Sequence, residues 1–425
     1  MSKVPVGWEV KLLGELFPKI VVGYVGNVNN YYCSSTTGVP FYRTLNIRNG
    51  FFRKNEVVYV TKEFHKANKK SQIFNQDILI ARVGANLGMV CKVEGLETEA
   101  NIANAIIIKA TKSYNSDFYT AFLLSKEGRD QIFSGAAGGA QGVFNTKLAQ
   151  KISVPVPPLS EQTKIAQILS TWDKAIATTE KLIGNSQQQK KALMQSLLTG
   201  KKRLTGFEES NEYQTTRYGK IPLDWGFKPV DDIAKNISIK NKEGKDYPVL
   251  SCSKYSGFID SLKYFNKKIY SDNTDGYKII KKGWFGFPSN HIEEGSIGLQ
   301  SLYEVGIVSP IYIIFKVNEN IISSLYLYAL FKTDHYKQIF SASTNASVDR
   351  RGSLRWDEFG KIKVPVPPLP EQQKIAAILT AADNEIELLQ KKLVFLKQEK
   401  AALMQQLLTG KRRVKIDTTE ECMDA

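Results

Sequence analysis

Val154-Pro155-Val156-Pro157-Pro158-Leu159, followed one residue later by Glu161-Gln162-x-Lys164-Ile165-Ala166-x-Ile168-Leu169, returns as Val364-Pro365-Val366-Pro367-Pro368-Leu369 and Glu371-Gln372-x-Lys374-Ile375-Ala376-x-Ile378-Leu379. The repeat runs without a gap over residues 151–204 and 361–414, with about 30 of 54 positions identical. Both copies close on Ala-Leu-Met-Gln-x-Leu-Leu-Thr-Gly-Lys, ending at Lys201 and Lys411. An internal repeat fixes the architecture before any other feature. The prolines suit a helix entrance. Ser160 is placed to cap the first copy, Glu161 and Glu371 suit a positive helix N-terminus, and Gly200 and Gly410 stand where a left-handed C-terminal residue belongs. Each copy therefore reads as one helix of about 40 residues, or ~60 Å.

Steps of four and three along the first helix pick out Ile165, Leu169, Trp172, Ile176, Thr179, Ile183, Ser186, Lys190, Leu193 and Leu197. In the second they pick out Ile375, Leu379, Ala382, Ile386, Leu389, Leu393, Leu396, Lys400, Leu403 and Leu407. This is a coiled-coil seam, and a helix so long buries its stripe most readily against the other copy. The chain leaves the first helix at its C-terminal end, builds a further block, and enters the second helix at its start, so the pairing is expected to be antiparallel with a block at each end. Lys190 and Lys400 share one seam position. Two readings stay open: each snorkels out at the seam edge, or the pair fixes register.

The order predicted is a block over residues 1–153, a helix over 154–204, a polar linker over 205–220, a block over 221–363, a helix over 364–414 and a disordered tail over 415–425. The blocks begin alike, with Pro5-x-x-Trp8 and Pro222-x-x-Trp225. Residues 77–93 read as a β-hairpin, Trp284-Phe-Gly-Phe and Gly298-Leu-Gln-Ser-Leu take the same place in the second block, and Ala105-Ile-Ile-Ile-Lys and Ile311-Tyr-Ile-Ile-Phe-Lys read as strands. Helices carrying Gln131-Ile-Phe-Ser134 and Gln338-Ile-Phe-Ser341 follow. The loops after them differ: residues 135–144 are Gly- and Ala-rich, whereas residues 342–355 carry Asp349-Arg350-Arg351-Gly352. The fold class is α+β, two pseudo-twofold-related α/β domains separated by a pair of long antiparallel coiled-coil helices.

Fifty-eight Lys and Arg against forty-two Asp and Glu leave a net charge of +16, which favours a polyanionic partner, nucleic acid before a membrane. No apolar run is long enough to span a bilayer and the start lacks a signal peptide's apolar core, so a soluble cytoplasmic protein is expected. Four scattered cysteines and three scattered histidines show neither a disulfide framework nor metal-ligand spacing.

The doubled Val-Pro-Val-Pro-Pro-Leu-x-Glu-Gln-x-Lys-Ile-Ala-x-Ile-Leu, the doubled Leu-Leu-Thr-Gly-Lys, the Pro-x-x-Trp starts and the divergent blocks resemble the specificity subunit of type I restriction–modification systems. The resemblance covers almost the whole chain. It implies two target-recognition domains, each reading one half of a bipartite, asymmetric site in double-stranded DNA, with the helices setting the gap. It also implies two methyltransferase subunits holding S-adenosylmethionine and two restriction subunits using ATP and Mg; this chain itself would hold no cofactor.

Base readout needs paired donors and acceptors on loops and strand ends, and phosphate contact needs cations. The candidates for readout are Arg43, Asn46, Arg48, Arg82, Asn86 and Gln141 in the first block, and Ser253, Lys254, Tyr255, Asn290, Arg350 and Arg351 in the second. Lys54, Lys70, Lys147, Lys254 and Lys278 are candidates for phosphate. Ile168, Met194, Leu198, Ile378, Met404 and Leu408 flank the seam and read either as core at the helix ends or as a surface for methyltransferase helices. No methyltransferase Asn/Asp-Pro-Pro-aromatic motif, Gly-rich S-adenosylmethionine loop or phosphate-binding loop occurs, so no catalytic residue is expected. The competing class is a non-catalytic cytosolic adaptor joining two protein-binding modules through a coiled coil.

Overall fold

The computed structural model describes residues 4–137, 143–208, 212–242, 245–267, 270–271, 273–344 and 353–416. The expected disordered tail falls, from residue 417 on, outside them. The chain divides into two compact units, one of Met1–Glu180 with Lys391–Ala425 and the other of Lys181–Gln390. The long helices are Leu159–Leu197 and Leu369–Leu407, 39 residues each, so each unit contains the first half of one and the second half of the other.

Within each unit the two half-helices pair antiparallel. In the first, Asp173 meets Lys400 and Glu180 meets Lys397, so numbers rise along one helix as they fall along the other. In the second, Asp383 meets Lys190 and Glu371 meets Arg203. Every seam position named above is buried or partly buried. Lys190 and Lys400 run to the edge of the seam and end on Asp383 and Asp173, each one residue beyond a seam position of the facing helix.

The helix ends depart from expectation in one respect. The first helix begins at Leu159 and not after Ser160, because the Pro158 carbonyl accepts from Gln162 N–H at 3.0 Å. The Gln162 amide then spans the junction, donating to Pro157 O at 2.9 Å and accepting from Asn115 N–H at 2.9 Å. Gln372 repeats this with Pro367 O at 2.8 Å and Ser323 N–H at 2.8 Å. At the other end Gly200 and Gly410 have φ of +68° and +73°, and a Cβ there would lie 2.4 Å from Pro222 and 2.5 Å from Pro5. Each glycine is thus required by its left-handed backbone and by the proline that seats on it, which links the Pro-x-x-Trp starts to the helix repeat.

Besides a four-stranded mixed sheet of the first unit, ordered Val58–Val60, Val39–Tyr42, Ala100–Ile102, Gln72–Ile73, each unit holds one four-stranded antiparallel sheet beyond the helices. In the first its order is Ile20–Val22, Ala105–Ile108, Ile78–Ala81, Val90–Lys92, and in the second Ala234–Ile237, Tyr312–Val317, Phe285–Pro288, Gly298–Leu299. Each hairpin read from sequence supplies an inner strand and the edge strand beside it, and the plain strands are the other inner strands of these sheets. Helices Ser116–Leu124 and Lys126–Ala137, and in the second unit Ser324–Phe331 and Asp334–Ser343, cover one face. Strand Glu9–Leu12 pairs with Ser153–Val156, and Gly226–Pro229 with Lys363–Val366, so each Val-Pro-Val run is the last strand of its block. The linker is shorter than expected, since Tyr213–Thr216 and Gly219–Pro222 form a hairpin within and just beyond it.

Candidate nucleic-acid interface

The two sheets end in the same backbone hydrogen bonds. In the first unit Arg82 N–H donates to Asn104 O at 3.4 Å, and Arg82 O accepts from Phe144 N–H at 3.0 Å. In the second, Ser289 N–H donates to Ile311 O at 3.3 Å, and Ser289 O accepts from Leu354 N–H at 2.9 Å. Residues 82 and 289, and 104 and 311, therefore hold equivalent places in the framework while their side chains share nothing. Beside each lies a cleft, of about 330 Å³ in the first unit, lined by Asn27, Asn29, Arg43, Thr44 and Asn104 among others. The second cleft, of about 450 Å³, is lined by Cys252, Asn290, His291, Glu294 and Ile311 among others.

In the first unit the guanidinium of Arg48 donates to Asn86 Oδ1 at 2.8 Å, and Asn86 donates in turn to Thr44 O at 3.2 Å. That fixes the amide; Arg48 Nη1 also reaches Met89 Sδ at 3.7 Å, and the planar fork carries Nε and Nη2 as further donors, the geometry for bidentate contact with an acceptor edge. Arg43 donates through Nη2 to Glu56 O at 3.3 Å, and the Nε groups of Arg43 and Arg82 are enclosed with no partner. Enclosed, unpaired N–H groups are costly and unusual in a folded chain. Asn46 is corrected: it is fully buried, its Oδ1 taken by Arg43 N–H and its Nδ2 by Arg53 O and Asn55 O, each at 2.9 Å. It shapes the loop and has no edge left for a base. Lys147 is exposed on the helix Thr146–Gln150, Lys70 is exposed, and Lys54 is exposed with its ammonium on Gly95 O at 3.2 Å. Gln141 lies outside the described residues.

In the second unit Ser253 ends the strand Leu250–Ser253, and Lys254 and Tyr255 lie in the turn that joins it to Gly257–Asp260. Ser253 is corrected in part, because its hydroxyl accepts from Tyr255 N–H at 3.2 Å and Ser256 N–H at 3.4 Å and so builds the turn. Tyr255 is 81% exposed, with the Lys254 ammonium 4.9 Å from its ring centre. Lys332, which the sequence reading missed, holds this turn from below: its ammonium donates to Lys254 O at 2.8 Å, Gly295 O at 3.1 Å and Ile297 O at 3.3 Å. Burial pushes its pKa down. Lys278 is corrected as a phosphate contact. Its ammonium is partly buried on Tyr312 O at 2.6 Å, and burial first, then Lys240, lowers its pKa. Asn290 lines the cleft; Arg350 and Arg351 lie outside the described residues. The one group among the described residues whose ligand atoms converge, His291, Glu293 and Glu294, sits in a single turn within 4.8 Å and was not visible from scattered histidines.

The six flanking residues of the long helices turn inward. Leu198 and Leu408 are 2% and 0% exposed, and Ile168, Met194, Ile378 and Met404 pack against the same cores. The Pro-x-x-Trp segments fold over the helix ends and cover them, so of the two readings the core is what is found. The large apolar side chains that do face outward on these helices are Leu182 and Leu388 in the second unit and Leu159, Val394 and Phe395 in the first, 44–66% exposed. No helix among the described residues is long and apolar enough to cross a membrane.

A family model described as a type I restriction modification DNA specificity domain matches residues 5–185 and again 222–398. The type I restriction enzyme MjaVIII specificity subunit of Methanocaldococcus jannaschii is 27% identical over 443 residues, covering 97% of this chain and 95% of that one. The EcoKI specificity subunit of Escherichia coli (strain K12) is 28% identical over 229 residues, 52% of this chain and 48% of its own. The crystal structure of the type I restriction–modification system S subunit from M. genitalium aligns over 98% of both chains with a TM-score of 0.57 at 15% identity, a likeness of fold. With both halves matched and the repeat, the helix pair and the doubled framework in place, the chain belongs to the type I restriction–modification DNA specificity family.

Proposed function

We propose that this chain is the sequence-specific DNA-recognition subunit of a type I restriction–modification complex. Each unit reads one half of a bipartite, asymmetric site, and the paired helices set the gap while docking two methyltransferase subunits. The observation that carries this reading is the edge of the two sheets. One backbone framework recurs with Arg82 and Asn104 in one unit and Ser289 and Ile311 in the other, as expected of one scaffold presenting different chemistry to two targets. The net charge of +16 supplies the sequence-independent attraction to phosphate.

In this reading the chain is a non-catalytic cytoplasmic subunit. S-adenosylmethionine belongs to the methyltransferase partners, and ATP and Mg to two restriction subunits. Arg43, Arg48 with Asn86, Arg82, Lys254, Tyr255 and Asn290 face the bases, and Lys54, Lys70 and Lys147 face phosphates. The outward apolar residues of the long helices, not the six buried ones, are the surface offered to partner helices.

The test is adenine methylation mapped on a DNA library by this chain with its methyltransferase subunit, repeated after exchanging residues 1–153 alone. A bipartite motif in which one half changes is the expected result. Complex formation without any sequence motif would sink the reading. A salt titration separates it from an adaptor, whose apolar contacts would not weaken steeply as salt rises.

A further inference from the structure

We infer that residues 82 and 104 of the first unit and 289 and 311 of the second are equivalent specificity positions, and that Ile311 packs on the 5-methyl group of a thymine in the second half-site. The inference rests on the reading of the chain as a DNA-recognition subunit.

The equivalence comes from the backbone hydrogen bonds, although Asn104 has a left-handed φ of +51° that Ile311 does not share. In each unit the residue after the central strand donates to the carbonyl at the end of its neighbour, at 3.4 Å from Arg82 to Asn104 and at 3.3 Å from Ser289 to Ile311. The carbonyl of the same residue accepts the chain as it returns from the polar loop, from Phe144 at 3.0 Å and from Leu354 at 2.9 Å. Both Asn104 and Ile311 line the cleft at that edge. What differs is chemistry. Arg82 and Asn104 offer a guanidinium and an amide, the groups that pair with guanine and adenine edges. Ser289 and Ile311 offer a short hydroxyl and a branched hydrocarbon.

An exposed isoleucine is unremarkable on most surfaces. Ile311 is 42% exposed, but it stands where the first unit has Asn104 and lines a cleft with Cys252, Pro288 and Tyr312 beside Asn290, His291 and Glu294. The strand that follows is pinned, since the Tyr312 hydroxyl accepts from Cys252 N–H at 2.8 Å. In the major groove one apolar feature differs between bases, the thymine methyl, and apolar side chains read it.

The experiment uses the full chain in complex with its methyltransferase subunit, once methylation mapping has given the motif. Each thymine of the second half-site, on either strand, is replaced singly by deoxyuridine, and binding is measured for the native chain and for Ile311→Ala. One replacement is expected to weaken native binding roughly fourfold, the factor for one methyl-sized apolar group. Ile311→Ala is expected to show almost no penalty for that replacement, while its response in the first half-site is unchanged. A second half-site without thymine, no sensitivity to deoxyuridine, or equal sensitivity in Ile311→Ala would overturn the inference and leave the recognition reading standing. Absence of any bipartite motif would overturn the reading itself.

Discussion

Arg203, just past the end of the first long helix, holds Glu371 at the start of the second by two hydrogen bonds, Nε to Oε1 at 2.8 Å and Nη2 to Oε2 at 3.0 Å. The same guanidinium binds Asp224 twice at 2.8 Å, and Trp225 Nε1–H donates to Glu371 at 3.1 Å. In the first unit Arg413, Glu161 and Trp8 repeat the arrangement 210 residues on from Arg203 and back from Glu371. The two copies differ in burial: the side chain of Arg203 is 7% exposed and that of Arg413 42%.

Arg203→Ala leaves two carboxylates in the interior without their cation, and is expected to cost about 3–5 kcal/mol, the range for breaking a buried pair. Arg413→Ala strands a single carboxylate, Glu161, itself only 4% exposed, by removing a cation that is 42% exposed, and is expected to cost less than Arg203→Ala. Urea denaturation of both variants checks the order, and equal losses would show that burial is not what sets the worth of this contact.

Lys190 and Lys400 reach Asp383 and Asp173 at the edge of the seam, where the aspartates are 58% and 57% exposed. Such wet pairs are worth about 0.2–1 kcal/mol. Double-mutant cycles on each pair should return a coupling in that range, while Lys190→Leu, which adds apolar surface to the seam, should raise the melting temperature. A coupling above about 2 kcal/mol would instead favour a role in fixing register.

How much of this was legible in the chain follows from which forces are local. The seam was legible because a stripe recurring at 3.5 residues has one geometric meaning, and the hairpin strands because their alternation and turns are written in consecutive residues. Asn46 misled because an amide in a polar loop looks alike whether it meets a base or saturates itself on Arg53 O and Asn55 O. Leu198 and Leu408 stayed open between core and partner surface because what buries them, the Pro-x-x-Trp start of a block, is distant in sequence. The equivalence of Arg82 with Ser289 was beyond reach, since only backbone hydrogen bonds carry it and backbone atoms have no letter.

Lys332 gives its three N–H donors to carbonyls of Lys254, Gly295 and Ile297. Lys332→Met keeps the length of the stem and removes the donors, leaving those carbonyls unsatisfied at a cost of roughly 1–3 kcal/mol. The turn bearing Lys254 and Tyr255 should then exchange its amide hydrogens faster, and binding should weaken for mutations of the second half-site no more than for the native site. Unchanged exchange at residues 253–257 would show that the turn holds its shape without Lys332.

If the helices set the gap, their length must be adjustable in steps that preserve the seam. Seven residues restore the alternation of four and three, so a heptad with apolar residues at the seam positions, placed after Lys181 in one helix and after Lys391 in the other, keeps both seams continuous. Each helix then grows by about 10.5 Å at 1.5 Å per residue, the length of roughly three base pairs at 3.4 Å each. The methylated motif should keep both half-sites and widen its gap by about three base pairs. The same heptad in one helix alone throws its seam out of step with the partner's, and should lower stability and abolish methylation. A double insertion that folds and methylates with the original gap would mean that some other part of the complex measures the distance.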